Sequence, residues 1–305
     1  MIQGSNTRLI SFPLLRGVNT IQLHTPSRPG ILRRPSNLCA RGAIFILVAF
    51  AAAIASRAEE PTPAATAGFD SYIATLESRL DRQHKSQDGF IASVLSDENN
   101  RAKLQRGETI IERIRKSGGP PLPGATLYHW RGTAFVPGAT VADYERVMED
   151  FDGMPKTFAP EIVRAKVVSR KNEGGRTLIQ AWYRVKQHHV ITVVMDITYD
   201  VMLARLDAQH GYSASRSTRI TEIGDAGTPD EHAMSGSEQH GFMWRLNAYW
   251  SYEERDGGLY MQIESVSLAR SIPSGLGWAV GPFVEKVPRE SLEFTMQATS
   301  KALKK

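Results

Sequence analysis

Two turns constrain this chain more than any other feature, Glu173-Gly174-Gly175 and Asp256-Gly257-Gly258. Acidic or small residues beside paired glycines, between alternating apolar residues, mark tight β-hairpins. Around them lie six strand candidates: Ile162–Lys171, Thr177–Lys186, Val190–Ala204, Tyr212–Ile223, Gly241–Arg255 and Leu259–Arg270. An antiparallel sheet of that extent must bury one face. Upstream, Thr126–Val136 reads as a first strand, and Pro137-Gly138 turns the chain. Thr140 then caps a helix whose apolar positions are Val141, Tyr144, Val147 and Met148, and Phe151–Phe158 reads as a short second helix. After the sixth candidate, Ser291–Leu303 has helical spacing, with Leu292, Met296, Thr299 and Leu303 on one face. That helix is the element available to cover the sheet. The class is α+β: strand, two helices, six strands, one long C-terminal helix, about seven strands in all.

Residues 68–117 read as a helical lead-in. Phe69, Tyr72, Ile73, Leu76 and Leu80 form one stripe, Phe90, Ile91, Val94 and Leu95 a short second helix, and Leu104, Ile110, Ile111 and Ile114 a weaker third. The lead-in is expected to pack on the main domain; a separate dimerisation hairpin is the alternative. Gly118-Gly-Pro-Pro-Leu-Pro-Gly124 is the domain boundary, placing the main domain at 124–305.

The first 58 residues read as a leader, and 59–67 as a disordered junction. Arg33, Arg34 and Arg41 precede a 13-residue apolar run, Ala43 to Ala55, shorter than the ~20 residues of a membrane-spanning helix. Ala53-Ile-Ala55 and Ser56-Arg-Ala58 are small-residue cleavage motifs. A cleaved export signal is expected, giving a periplasmic or secreted chain starting near Glu59; an uncleaved inner-membrane anchor and an organelle transit peptide are the alternatives. Cys39, the one cysteine, lies within the leader, so neither a disulfide within the chain nor cysteine chemistry downstream is expected.

Charge separates in the same way. Seven of the 37 basic residues, all arginine, and none of the 32 acidic ones lie before residue 59. The remainder holds 30 basic against 32 acidic residues, which removes the electrostatic argument for a nucleic-acid partner.

The element order from Thr126 to Leu303 resembles that of the START-like superfamily, also called SRPBCC, which includes polyketide cyclase-like and pollen-allergen-like proteins. Gly275-Leu-Gly-Trp-Ala-Val-Gly-Pro-Phe-Val-Glu-Lys-Val-Pro-Arg-Glu-Ser-Leu292 resembles the start of the grip helix in bacterial members. The resemblance implies a helix-grip fold, a curved sheet wrapped around the C-terminal helix, that binds lipids or other apolar or amphipathic molecules between sheet and helix. It implies no cofactor and no fixed catalytic motif. Membrane contact is expected only through an uncleaved leader.

If Asp256-Gly257 is a two-residue turn, Tyr249 faces Glu264 and Trp250 faces Ile263. Trp244, Leu246, Ala248, Trp250, Met261, Ile263, Ser265 and Ser267 then share one face, apolar with two hydroxyls. We take Trp244, Leu246, Trp250, Met261, Ile263 and Ser265 as candidate ligand-binding residues; a filled core is the alternative. Arg216 and Arg219 straddle both faces of one strand, so one of them points inward, and Arg216 joins the set as a partner for a ligand carboxylate. The opposite face, with Arg245, Asn247, Tyr249, Ser251, Gln262 and Glu264, reads as a solvated sheet surface.

An enzyme of the cyclase, dehydratase or hydrolase kind is the second functional reading. It needs a carboxylate, Tyr or His in the cavity, with Asp196, Tyr249 and Glu264 as candidates and Arg184 or Arg216 for an oxyanion. No metal site is expected, because His188 and His189 point to opposite faces of a strand and His210, His232 and His240 have no ligand-spaced partner. G-x-S-x-G, Walker, CxxC and HExxH motifs are absent from the sequence.

Overall fold

Backbone dihedrals at the two turns set the register of the sheet. Asp256 and Gly257 have φ of 58° and 75°, and Gly174 and Gly175 have 56° and 75°, the paired positive values that a type I′ hairpin requires. Arg255 therefore faces Gly258, Tyr249 faces Glu264 and Trp250 faces Ile263, as the sequence predicts, and Glu173 faces Arg176.

The computed structural model describes residues 60–86, 89–91, 93–115, 122–188, 191–272 and 286–304. The leader, residues 116–121 with the first part of the breaker cluster, His189, and residues 273–285 with the first part of the segment that carries the family resemblance lie outside them. The helices are α1 (Pro63–Gln83), α2 (Glu98–Gln105), α3 (Val141–Glu149), α4 (Met154–Thr157) and α5 (Val287–Leu303). The strands are β1 (Ile110–Arg113), β2 (Ala125–Pro137), β3 (Ile162–Glu173), β4 (Arg176–His188), β5 (Thr192–Arg205), β6 (His210–Gly224), β7 (His232–Ala233), β8 (Arg245–Arg255) and β9 (Gly258–Arg270). They form one antiparallel sheet in the order β1-β2-β9-β8-β6-β5-β4-β3, with β7 paired to β6. None of the described helices is long and apolar enough to cross a membrane.

One face of the sheet carries α5. Leu292, Met296, Thr299 and Leu303 are its buried residues, and three of them join Val136, Tyr144, Tyr252, Leu259 and Met261 in one core cluster. Gly132 on β2 allows this approach, since a Cβ there would come within 2.9 Å of Met296. Thr140 caps α3 through a reciprocal capping box with Asp143, which fixes where that helix begins. This is the helix-grip arrangement that the element order implies.

The other face carries α1, which corrects two expectations. The helix begins at Pro63, inside the stretch read as a disordered junction, because the Thr62 hydroxyl accepts from Ala65 N and Pro63 suits the first helical turn. Phe69, Ile73, Leu76 and Leu80 pack on Leu127, Tyr249, Val266 and Leu268, each contributing about 1.5–3 kcal/mol of burial. The polar face of β8 and β9 is consequently buried, not solvated: Tyr249, Asn247, Gln262 and Glu264 are all at most 5% exposed. In addition, Ile110 and Ile111 belong to a strand and not to a third helix. Gly107 takes φ of 86° and stops α2, and β1 pairs with β2. With β7, that raises the strand count from about seven to nine.

Candidate functional site

Between α5 and the sheet lies a cavity of about 580 Å³, within the range of small-molecule pockets. It sits beneath the N-terminal half of α5. Beyond it, toward Tyr252, Leu259 and Leu303, the same interface is solid core. Trp250, Ile263, Met195 and Leu292 wall the deep part, adjoining that core. Ser265 and Ser267 follow along β9, with Tyr128 directly across from Ser267 on β2. Ile191, Phe242, Met243, Gln187, Lys286 and Glu290, each partly or fully exposed, line the other end, which is the open one among the described residues. Polarity thus rises along the cavity from aromatic and aliphatic groups, through hydroxyls, to charges.

The open end is held by two buried or half-buried carboxylates. Glu222 is 2% exposed; its oxygens accept from His240 N at 2.8 Å and Phe242 N at 3.0 Å, and its Oε2 lies 2.8 Å from His240 Nδ1. That clamp fixes the 240–243 segment and hence Phe242 and Met243. Ser291 Oγ donates to Glu161 Oε2 at 3.0 Å and accepts from Gln187 Nε2 at 3.1 Å, tying the first turn of α5 to β4. Burial pushes the Glu161 carboxyl up to about 7, against the hydrogen bond from Ser291.

Of the residues chosen from sequence, Leu246, Trp250, Ile263 and Ser265 line the cavity. Three do not. Trp244 precedes β8 by one residue, escapes its alternation and packs with the α1 cluster. Met261 has the predicted face but lies in solid core and is fully buried. Arg216 lies on the α1 face and donates from Nε to Glu77 at 2.6 Å. A register shift leaves Thr218 unpaired in the β5–β6 ladder, so Arg216 faces Asp200 and Arg219 faces Thr198, two positions of one face. The arginines therefore do not straddle the sheet.

None of the named catalytic candidates reaches this cavity. Met195 lines it, so Asp196 points away, and Asp196 is held by Arg184 at 2.7 Å. Tyr249 donates to Glu77 at 2.7 Å and Glu264 is bound by Arg79 at 2.5 Å, both under α1. Glu222, Tyr128 and the rim residues Phe242 and Met243 were not singled out from sequence. Alternation along β2 does put Tyr128 on the face of Trp130 and Gly132, whereas a clamp between residues 18 positions apart, Glu222 and His240, has no local signature. Among the described residues, no group of three or more His, Cys, Asp or Glu could hold a metal ion.

No protein-family model and no curated protein matches the chain. Solved structures do. A START superfamily protein from Mycobacterium smegmatis aligns over 57% of this chain and 96% of its own, at 15% identity and a TM-score of 0.38. A STAR-related lipid transfer protein from Xanthomonas axonopodis aligns over 63% and 98%, at 14% identity and 0.35. The Zhui aromatase/cyclase from a Streptomyces species aligns over 58% and 94%, at 12% identity and 0.36. The helix-grip assignment rests on this chain's own strand order and register.

Proposed function

We propose that the protein binds one apolar or amphipathic small molecule or lipid in the cavity between α5 and the sheet. The observation that carries this is the graded wall, from Trp250 and Ile263 through Ser265 and Ser267 to Lys286 and Gln187. An amphipathic ligand fits that gradient in one sense, apolar end first and polar end toward the opening. Burying an apolar body against such walls is worth about 25 cal/mol per Å² of surface removed from water. We propose further that the chain acts outside the cytoplasm, which the charge break at residue 58 and the short apolar run support.

Native mass spectrometry of the chain purified from its own host, followed by organic extraction, tests the binding. A single noncovalent adduct that extracts into organic solvent is expected. A chain that stays adduct-free after incubation with lipid extract of its host overturns the reading.

A further inference from the structure

Charge is unevenly spread over the outer sheet. Residues 162–188, the β3–β4 hairpin, hold seven basic residues and one acidic residue. The rest of the chain after residue 58 is correspondingly acidic, with 23 basic against 31 acidic residues. Three of the seven cations are neutralised locally: Arg170 by Glu149, Lys171 by Glu173, and Arg184 by Asp196 and Glu231. Arg164, Lys166, Arg176 and Lys186 are exposed, and of the four only Arg164 is drawn on by a nearby carboxylate, Glu231, which Arg184 already binds.

Apolar groups are set among these cations. The β3–β4 ladder shifts register twice, between Ile162 and Arg164 and between Val167 and Ser169. The extra residues are Val163 and Val168, which are 41% and 51% exposed. Leu178 is exposed as well, and Lys166 and Arg184 lie 5.8 and 5.9 Å from the Trp182 ring. Cations on an edge strand can serve to repel other strands. Here they continue onto β4, which is paired on both sides, and a guard against edge pairing does not call for exposed valines.

We infer that this face docks on an anionic lipid bilayer. Lysines and arginines meet headgroup phosphates, while valines and an indole flanked by cations suit the headgroup–acyl boundary. Nucleic acid would use the charge and leave the valines without a role. Lys186 and Gln187 are consecutive on β4 and point to opposite faces, so the docking face is the back of the sheet whose other side lines the cavity. The surface stands apart from the cavity reading and can fail without it.

The test uses the full chain with Cys39→Ser, so that a single introduced cysteine carries an environment-sensitive NBD dye. Val168→Cys reports the face; Leu206→Cys, equally exposed in the turn between β5 and β6, is the control. Because the dye reads its own surroundings, a leader that holds the chain on vesicles does not produce the signal. A blue shift at 168 but not at 206 is expected with vesicles containing phosphatidylglycerol, with none on pure phosphatidylcholine. Neutralising Arg164, Lys166 and Lys186 to Gln should weaken the response about fivefold per charge. No shift at 168, equal shifts at both sites, an equal shift on neutral vesicles, or a response to duplex DNA alone overturns the inference.

Discussion

Nε2 of His129 lies 2.7 Å from Oε2 of Glu264, with both side chains 2% exposed, at the boundary between α1 and the sheet. Arg79 of α1 reaches the same oxygen at 2.5 Å, and Tyr72 OH lies 2.8 Å from His129 Nδ1. Burial alone would push the Glu264 carboxyl up, but His129 and Arg79 outweigh it and hold it below its ordinary value. This polar chain docks α1 and fixes its register on the sheet. His129→Ala is expected to cost about 3–5 kcal/mol, as a buried charge loses a partner. Replacing both residues together by leucine should recover much of that. Urea denaturation of the single and double variants checks the coupling.

Stability should respond to pH through two carboxyls with opposite signs. Glu264 has a depressed value when folded, so its contribution is present above its unfolded value and is lost as pH falls through the folded one. Glu161 is raised from 4.5 to about 7. Between those values the folded chain keeps a proton that the unfolded chain has released, so this group lowers stability as pH rises from 4.5 to 7. His84, lowered to about 4 by burial, removes stability as pH falls over much of that window. The difference between Glu161→Gln and the parent isolates the Glu161 contribution. Melting temperatures from pH 4.5 to 7.5 should show the variant gaining on the parent as pH rises.

Gly258 follows the Asp256-Gly257 turn, and a Cβ there would stand 2.5 Å from Val136 O and 2.6 Å from the Phe135 ring. Gly258→Ala is expected to destabilise by about 1–3 kcal/mol through overpacking. A change within about 0.5 kcal/mol by denaturant titration would mean that the end of the β2–β9 ladder yields more easily than its geometry indicates.

Glu222 places the rim without touching the cavity interior. Glu222→Ala should release the 240–243 segment, raising amide hydrogen exchange there and speeding ligand dissociation while the sheet stays folded. An unchanged exchange pattern at His240 and Phe242 would assign the rim geometry to other contacts.

The sheet was legible because its signals are local. The Asp-Gly and Gly-Gly turns pin register, and the Leu292–Met296–Thr299–Leu303 stripe marks the covering helix. The missing part is what covers the second face. Tyr249 and Glu264 on alternate strand positions read as solvated because polar side chains usually are; only a second helix in place, with Arg79 and Glu77 reaching over, makes them buried. β1 was hidden because Ile110, Ile111 and Ile114 fit a helical spacing as well as a strand. Within the cavity, alternation identified Leu246, Trp250, Ile263 and Ser265 correctly as wall. It could not show that Met261 stands where α5 has already filled the space, nor that a bulge at Thr218 brings Arg219 to the face that Arg216 occupies, so that neither points inward.

Ala248 lines the middle of the cavity, so Ala248→Trp fills it from within while leaving the opening intact. Titration with the neutral apolar dye N-phenyl-1-naphthylamine, read by its fluorescence, therefore tests the central claim most directly. The account predicts saturable binding at one site in the parent chain and at least about tenfold weaker binding in the variant, a loss of roughly 1.4 kcal/mol or more, with the fold intact by circular dichroism. Equal binding by both chains, or no saturable binding by the parent, would contradict it.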